Sequence, residues 1–212
     1  MNNKLQTTET YNVHAVAFAK KFTAYGARVV DIEAAFKILG PRTNPAVLEI
    51  GCANGRDAVV CLSHTKDYLG LDISEELIAL ARAQVPDGRF IVADAEEYAF
   101  PKNLDMVLAF ASLLHCDRIH IQGILQRLER SLTAGAVVVI SLKHSPYKEE
   151  VKIDEFGFRT FYYYTPKDIQ ELLGEKFTTV QETEYEIQKV EWFTSIFKFM
   201  GDYVNCSNTV LK

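Results

Sequence analysis

Hydrophobic positions along the chain fall into short apolar or β-branched runs that alternate with longer stretches of helical spacing. Behind a polar start, a helical pattern from Thr10 puts Val13, Val16 and Ala17 on one face. A second helix reads over residues 27–39, where Val29, Ile32, Phe36 and Leu39 share a face and Gly40-Pro41 ends it. The first strand is expected at 46–50, followed by a small-residue turn from Gly51 to Gly55 and a helix to about Ser63. Residues 68–71 make a short strand ending at Asp72, residues 74–84 a helix, and residues 89–93 a strand ending at Asp94. Residues 104–110 are apolar almost throughout, which suits a strand covered on both faces. The next helix spans about 117–132 with a stripe of Ile121, Ile124, Leu125, Leu128 and Leu132, and a buried strand follows at 136–142. After it the rhythm breaks: residues 143–164 are charged and aromatic with no clear period. Thr165 and Pro166 open a helix that stops near Gly174, and 177–185 and 190–200 read as an antiparallel edge hairpin.

Alternating β and α elements with short loops predict an α/β fold: a Rossmann-like three-layer sandwich around a seven-stranded, mostly parallel sheet with an antiparallel last strand. The expected organisation is a helical cap or lid over 1–44, a catalytic domain over 45–200 with a substrate-cap insertion at 143–164, and a frayed tail over 201–212. In such sheets ligands bind outside the carboxyl ends of the strands, so the residues just after each strand matter most.

Composition narrows the function classes. An apolar share of 48% is too high for a disordered chain, and no run of 18 apolar residues is present to span a bilayer. The net charge is −5 and no basic block stands out, which argues against a reader of nucleic-acid backbone. The opening residues lack the apolar core of a signal peptide, and Cys52, Cys61, Cys116 and Cys206 form no CxxC pair; reduced thiols in a cytoplasmic protein are expected.

The turn after the first strand, Glu49-Ile50-Gly51-Cys52-Ala53-Asn54-Gly55, carries most of the chemistry. It fits neither the dinucleotide fingerprint G-x-G-x-x-G nor a phosphate-binding P-loop. It resembles motif I of the class I S-adenosylmethionine (SAM) dependent methyltransferases, E/D-x-G-x-G-x-G, with Ala53 at the middle glycine. Asp72 ends the second strand 17 residues after Gly55, where a carboxylate can accept bonds from ribose hydroxyls; the competing reading is a helix cap before Glu75. Asp94 resembles the family's acidic residue at the adenine amino group, with a cap before Glu97 as the alternative. The segments 104–115 and 128–140 resemble the later family motifs, so the resemblance covers about 45–200. It implies SAM as cofactor, bound by Glu49, Gly51, Cys52, Ala53, Gly55, Asp72, Ile73, Asp94, Ala95 and Phe110.

For the transfer itself, His115 is the candidate base, with a packing or capping histidine as its alternative. A metal at His115, Cys116, Asp117 and His120 is disfavoured, since only Cys116 and His120 share a helical face. The aromatic run 161–164 can roof a small substrate through alternate residues, either Tyr162 and Tyr164 or Tyr163. Lys143 is a candidate for an anionic group, and Tyr11 and His14 sit on a segment of the kind that serves the family as a lid. The expected substrate contacts are Tyr11, His14, His115, Lys143, Tyr162 and Tyr164. The expected activity is methyl transfer to an O or N atom of a small molecule, by a monomer or homodimer with no membrane or nucleic-acid partner. The rivals are a catalytically silent SAM-binding or partner-activating subunit and a nicotinamide-dependent oxidoreductase. A methyltransferase acting on protein or RNA is disfavoured, because Ala109-Phe110-Ala111-Ser112 replaces the Asn-Pro-Pro-Tyr type of tetrapeptide.

Overall fold

The computed structural model describes residues 3–201, so the expected tail, including Cys206, lies outside the described residues apart from Gly201. The elements run α1 (Asn3–Val13), α2 (Ala15–Tyr25), α3 (Val29–Leu39), β1 (Val47–Ile50), α4 (Ala58–His64), β2 (Tyr68–Asp72), α5 (Glu75–Gln84), β3 (Arg89–Val92) and β4 (Leu104–Phe110). After a 3₁₀ turn (Leu113–His115) come α6 (Arg118–Glu129), β5 (Leu132–Lys143), β6 (Lys148–Asp154), β7 (Gly157–Tyr163), α7 (Pro166–Leu173), β8 (Phe177–Ile187) and β9 (Val190–Phe199). The sheet has seven strands in the order β3-β2-β1-β4-β5-β9-β8. β1 to β5 are parallel, and β9 runs antiparallel to both β5 and β8. The chain reverses direction across the sheet at β1 and β4, and the crevice of such a fold opens there.

Two apolar layers sandwich the sheet. On one face Ile32 and Ala35 of α3, Ala58 and Cys61 of α4 and Ile78 and Ala81 of α5 meet Val47, Met106, Leu108, Val137 and Val139. On the other, the stripe Ile121, Ile124, Leu125 and Leu128 of α6 and Ile169 and Leu173 of α7 meet Leu48, Leu69, Val107, Val138 and Ile140. α3 thus belongs to the sandwich itself, while α1 and α2 lie over its rim.

The structure corrects three expectations. The polar start is helical from Asn3, and Val13, Val16 and Ala17 all face solvent; Thr7, Thr10 and Phe18 are buried instead. In α3, Val29 is exposed and Ala35 replaces it in the buried stripe. Residues 143–164 are not irregular but hold a two-stranded hairpin, β6 on β7. Its tip is a two-residue loop between paired Asp154 and Gly157, where Asp154 Oδ1 accepts the Phe156 N–H at 3.1 Å. α1 is laced onto this hairpin: the Thr10 hydroxyl donates to Phe158 O at 2.7 Å, and the Thr160 N–H donates to Thr7 Oγ1 at 3.2 Å.

Candidate active site

β1 ends in a turn that β2 holds in place. The Gly51 and Cys52 N–H groups both donate to Leu71 O, at 2.7 and 3.0 Å. Asp72 reaches back to the same turn: Oδ2 accepts the Ala53 N–H and Oδ1 the Ser74 N–H, each at 2.9 Å. Ser74, not Asp72, caps α5, its hydroxyl accepting the Leu77 N–H at 3.2 Å. A carboxylate has about four acceptor sites, so with two filled Asp72 still has capacity for hydroxyl donors. Burial pushes its carboxyl upward, against the pull of the N–H groups of Ser74 and Ala53.

The glycines of the turn have packing reasons. A Cβ on Gly51, at φ +73°, would lie 2.1 Å from Ser112 Cβ beyond β4, and one on Gly55 would crowd Phe90 at 3.1 Å and Ala81 at 3.3 Å. Ala53 sits at φ +47° and Ala111, just after β4, at φ +53°, both in the left-handed region that disfavours L side chains. Two side chains of the motif point beneath the turn. Glu49 is buried and accepts the Tyr68 hydroxyl; burial, then the charge of Asp57, pushes it up to about 8. Cys52 Sγ packs behind Gly70, where an added Cβ would stand 2.8 Å from it. Asn54 is fully buried and donates through Nδ2 to Thr23 Oγ1 and Gln84 Oε1, both at 3.1 Å, tying the turn to α2 and α5.

Asp94 lies under α1. Lys4 pairs with it and with Glu96, the latter at 3.0 Å, while Asp94 Oδ1 accepts the Glu96 N–H at 2.9 Å. The neighbouring Ala95 carbonyl accepts Arg127 Nη2 at 2.7 Å, and Ile73, partly exposed, follows Asp72 at the end of β2. Phe110 is buried beneath the Arg28 guanidinium at 5.1 Å. Arg28 was not singled out in the sequence; it joins Asp31, at 2.7 Å, to Thr194, at 2.6 Å, and its N–H donates to Asp57 Oδ1 at 2.7 Å.

Past β4 a second cluster forms around Phe161. His115 Nδ1 lies 2.6 Å from Thr160 O, so that nitrogen carries the proton, and Nε2 accepts the Tyr11 hydroxyl at 2.9 Å. Burial holds the imidazole down to about 4, helped by the nearby charges of Arg159 and Lys143. The Lys143 ammonium stands 3.5 Å from the Phe161 centroid and 5.2 Å from that of Tyr163; burial lowers it to about 8. Arg159 is buried, 5.5 Å from the same Phe161 ring, and pairs with Asp154 at 2.5 Å. β7 therefore turns Phe161 and Tyr163 toward Lys143, and the expectation for Tyr162 and Tyr164 is corrected. Tyr164 is fully buried with its hydroxyl on Cys116 O at 2.7 Å, and Tyr162 stacks on Tyr147 at 6.4 Å. Alternation left the choice of face open; the partner strand β6 and the core contact of Tyr164 decide it. His14, at the α1–α2 junction, stands edge-on to Phe156 at 5.9 Å, so it holds the hairpin tip rather than entering this cluster.

His120 pairs with Asp117, the cap of α6, at 2.6 Å. Among the described residues no group of three His, Cys, Asp or Glu side chains could hold a metal, and no helix is long and apolar enough to cross a membrane. Cys52, Cys61 and Cys116 are free thiols whose burial pushes them up. A groove of about 300 Å³ between α2 and α5, lined by Val16, Leu80 and Gln84 among others, lies apart from the strand ends.

Residues 47–135 match the family model described as a methyltransferase domain. Trans-aconitate 2-methyltransferase of Acidovorax sp. (strain JS42) is 30% identical over 117 residues, 51% of this chain and 43% of that protein. The chain thus spans less than half the length of the curated relatives it matches. A SAM-dependent methyltransferase from Methanosarcina mazei superposes with a TM-score of 0.67 at 19% identity, over 76% of this chain and 95% of that one. The 1,6-didemethyltoxoflavin-N1-methyltransferase of Burkholderia thailandensis does so with a TM-score of 0.59 at 21% identity, over 74% and 72%. The fold is that of the class I SAM-dependent methyltransferases. The match to a methyltransferase domain covers residues 47–135, less than half of the chain.

Proposed function

We propose that this protein transfers a methyl group from SAM to an O or N atom of a small molecule. The observation that carries the reading is the tie between Asp72 and the Ala53 N–H, which fixes a carboxylate with open acceptor sites beside the motif I turn. The donor set suits a nucleoside bearing an amino acid: Asp72 for the ribose, Asp94 for the adenine edge, and the backbone of Gly51 to Gly55 for the amino-acid end. The apolar neighbours in this reading are Ile73, Ala95 and Phe110. SAM supplies a methyl group already activated by positive sulfur, so alignment provides much of the catalysis.

The chain's own residues then have distinct tasks. α1 and α2 act as a cover that excludes water over the strand ends. With Nδ1–H on Thr160 O and Nε2 occupied by Tyr11, His115 positions the Tyr11 hydroxyl and stays neutral at pH 7. An acceptor that reaches the site unprotonated needs no further base. The names of relatives that methylate trans-aconitate and 1,6-didemethyltoxoflavin support a small acceptor. The lack of a basic block in a chain of charge −5 argues against nucleic acid. We take the protein to be a cytoplasmic monomer or homodimer.

The occupied nitrogens of His115 favour one second reading, a SAM-binding subunit that turns over nothing alone. Incubation with methyl-labelled SAM and a panel of small acids, amines and phenols separates the two. Labelled product with release of the demethylated cofactor is the expected result; binding of SAM with no product from any acceptor would support the silent subunit.

A further inference from the structure

Two cationic groups, Lys143 at the end of β5 and Arg159 on β7, each carry N–H groups with no partner among the described residues, unlike the usual pairing of cations removed from water. No hydrogen bond or carboxylate within ion-pair distance engages the Lys143 ammonium among the described residues; its close contacts are the rings of Phe161 and Tyr163. Arg159 is 6% exposed, and although Nη2 is paired with Asp154, its Nε is buried with no hydrogen-bond partner. Both cations lie against one ring, that of Phe161, which also touches His115 at 5.0 Å between centroids.

The charge around them is positive although the whole chain is acidic. The charged groups acting on Lys143 are Arg159, Lys148 and Lys152 against Glu150, and Asp154 is already shared between Lys152, at 3.1 Å, and Arg159. His115 adds no charge at pH 7. A half-buried, unpaired ammonium and an orphaned guanidinium N–H beside one aromatic ring match an anionic oxygen group on an apolar skeleton.

We propose that the cluster around Phe161 is the acceptor site and that it takes a small carboxylate, whose anionic group is held by Lys143 Nζ and Arg159 Nε. The proposal rests on the methyltransferase reading for the cluster's role as acceptor site, while the binding chemistry stands on the chain alone. His115 touches the Phe161 ring and accepts the Tyr11 hydroxyl, and the charge of Asp72 acts on Tyr11, so an acceptor held here is near the proposed cofactor crevice.

The test is calorimetric binding of benzoate, succinate and citrate to the full chain, with and without the demethylated cofactor, in wild type, Lys143→Met and Lys143→Arg. Benzamide serves as the neutral control and inorganic phosphate as the competing anion. At least one carboxylate is expected to bind wild type, to lose about tenfold or more in Lys143→Met, and to recover in Lys143→Arg. Affinity for the demethylated cofactor is expected to stay the same in all three proteins. Equal carboxylate affinity in Lys143→Met, benzamide binding as well as benzoate, phosphate outcompeting every carboxylate, or no carboxylate binding to wild type would each overturn the proposal. Failure of the cofactor to bind wild type while carboxylates still depend on Lys143 would instead remove the methyltransferase reading and leave the anion site.

Discussion

Ala53 shows how one position joins the motif to its physical demand. Its φ of +47° is the conformation the family's middle glycine supplies freely, and its N–H is the one Asp72 holds. Ala53→Gly is expected to raise stability by up to about 1 kcal/mol, the left-handed strain relieved less the extra entropy of glycine. Chemical denaturation measures it, and a clear loss of stability would show that the turn tolerates alanine without strain. Gly55 carries the opposite lesson. It holds φ +74° and a Cβ there would press on Phe90 and Ala81, so Gly55→Val is expected to cost fold stability as well as disturb the turn. Spacing made Asp72 legible as a site residue. It did not reveal that Glu49 lies beneath the turn, because a strand residue's face depends on what its neighbours bury.

Glu49 also yields a pH prediction. Its carboxyl is raised from 4.5 to about 8, so the folded chain keeps a proton that the unfolded chain releases. Its contribution is therefore fully present below about pH 4.5 and fades as pH rises toward 8. Glu49→Gln, whose amide oxygen can still accept the Tyr68 hydroxyl, is expected to flatten the fall in stability across that window. An unchanged pH slope in denaturant titrations would place an ionised Glu49 in the fold.

At the scale of elements, α1 is the part the sequence concealed. Its buried side chains are threonines, so periodicity of apolar residues could not find its face. The hairpin β6–β7 was hidden for a related reason: β6 is exposed on both faces, and its charged residues carry no alternation. The turn signal was present in Asp154 and Gly157 bracketing two residues. Together these elements roof the strand ends, and Lys4 of α1 occupies Asp94, the carboxylate proposed for adenine. Lys4→Met is expected to strengthen binding of the demethylated cofactor by up to about fivefold, the worth of a partly exposed ion pair. Weaker binding in this variant would mean that α1 helps to build the site rather than competing for Asp94.

Across the whole molecule, the sheet was the most legible feature. Continuous apolar strands such as β4, buried along nearly its whole length, can exist only between two helical layers, and that alone demands crossover connections. The amphipathic stripe of α6 was read correctly for four of its five residues; Leu132 belongs instead to β5. What the sequence could not supply is the meeting of distant segments: Tyr11 with His115, Lys143 and Arg159 each with Phe161, Lys4 with Asp94. These contacts decide which parts of an acidic chain become locally positive. The same assembly places Asp72, which ends β2, and Asp94, just beyond β3, at one rim of the sheet, where SAM is proposed to bind. The most direct measurement is a calorimetric titration of wild type and Asp72→Asn with SAM, its demethylated product, a nicotinamide dinucleotide and ATP. One site for SAM and its product is expected, weakened about tenfold or more in Asp72→Asn, with no binding of the dinucleotide. Saturable binding of the nicotinamide dinucleotide with none of SAM would contradict it.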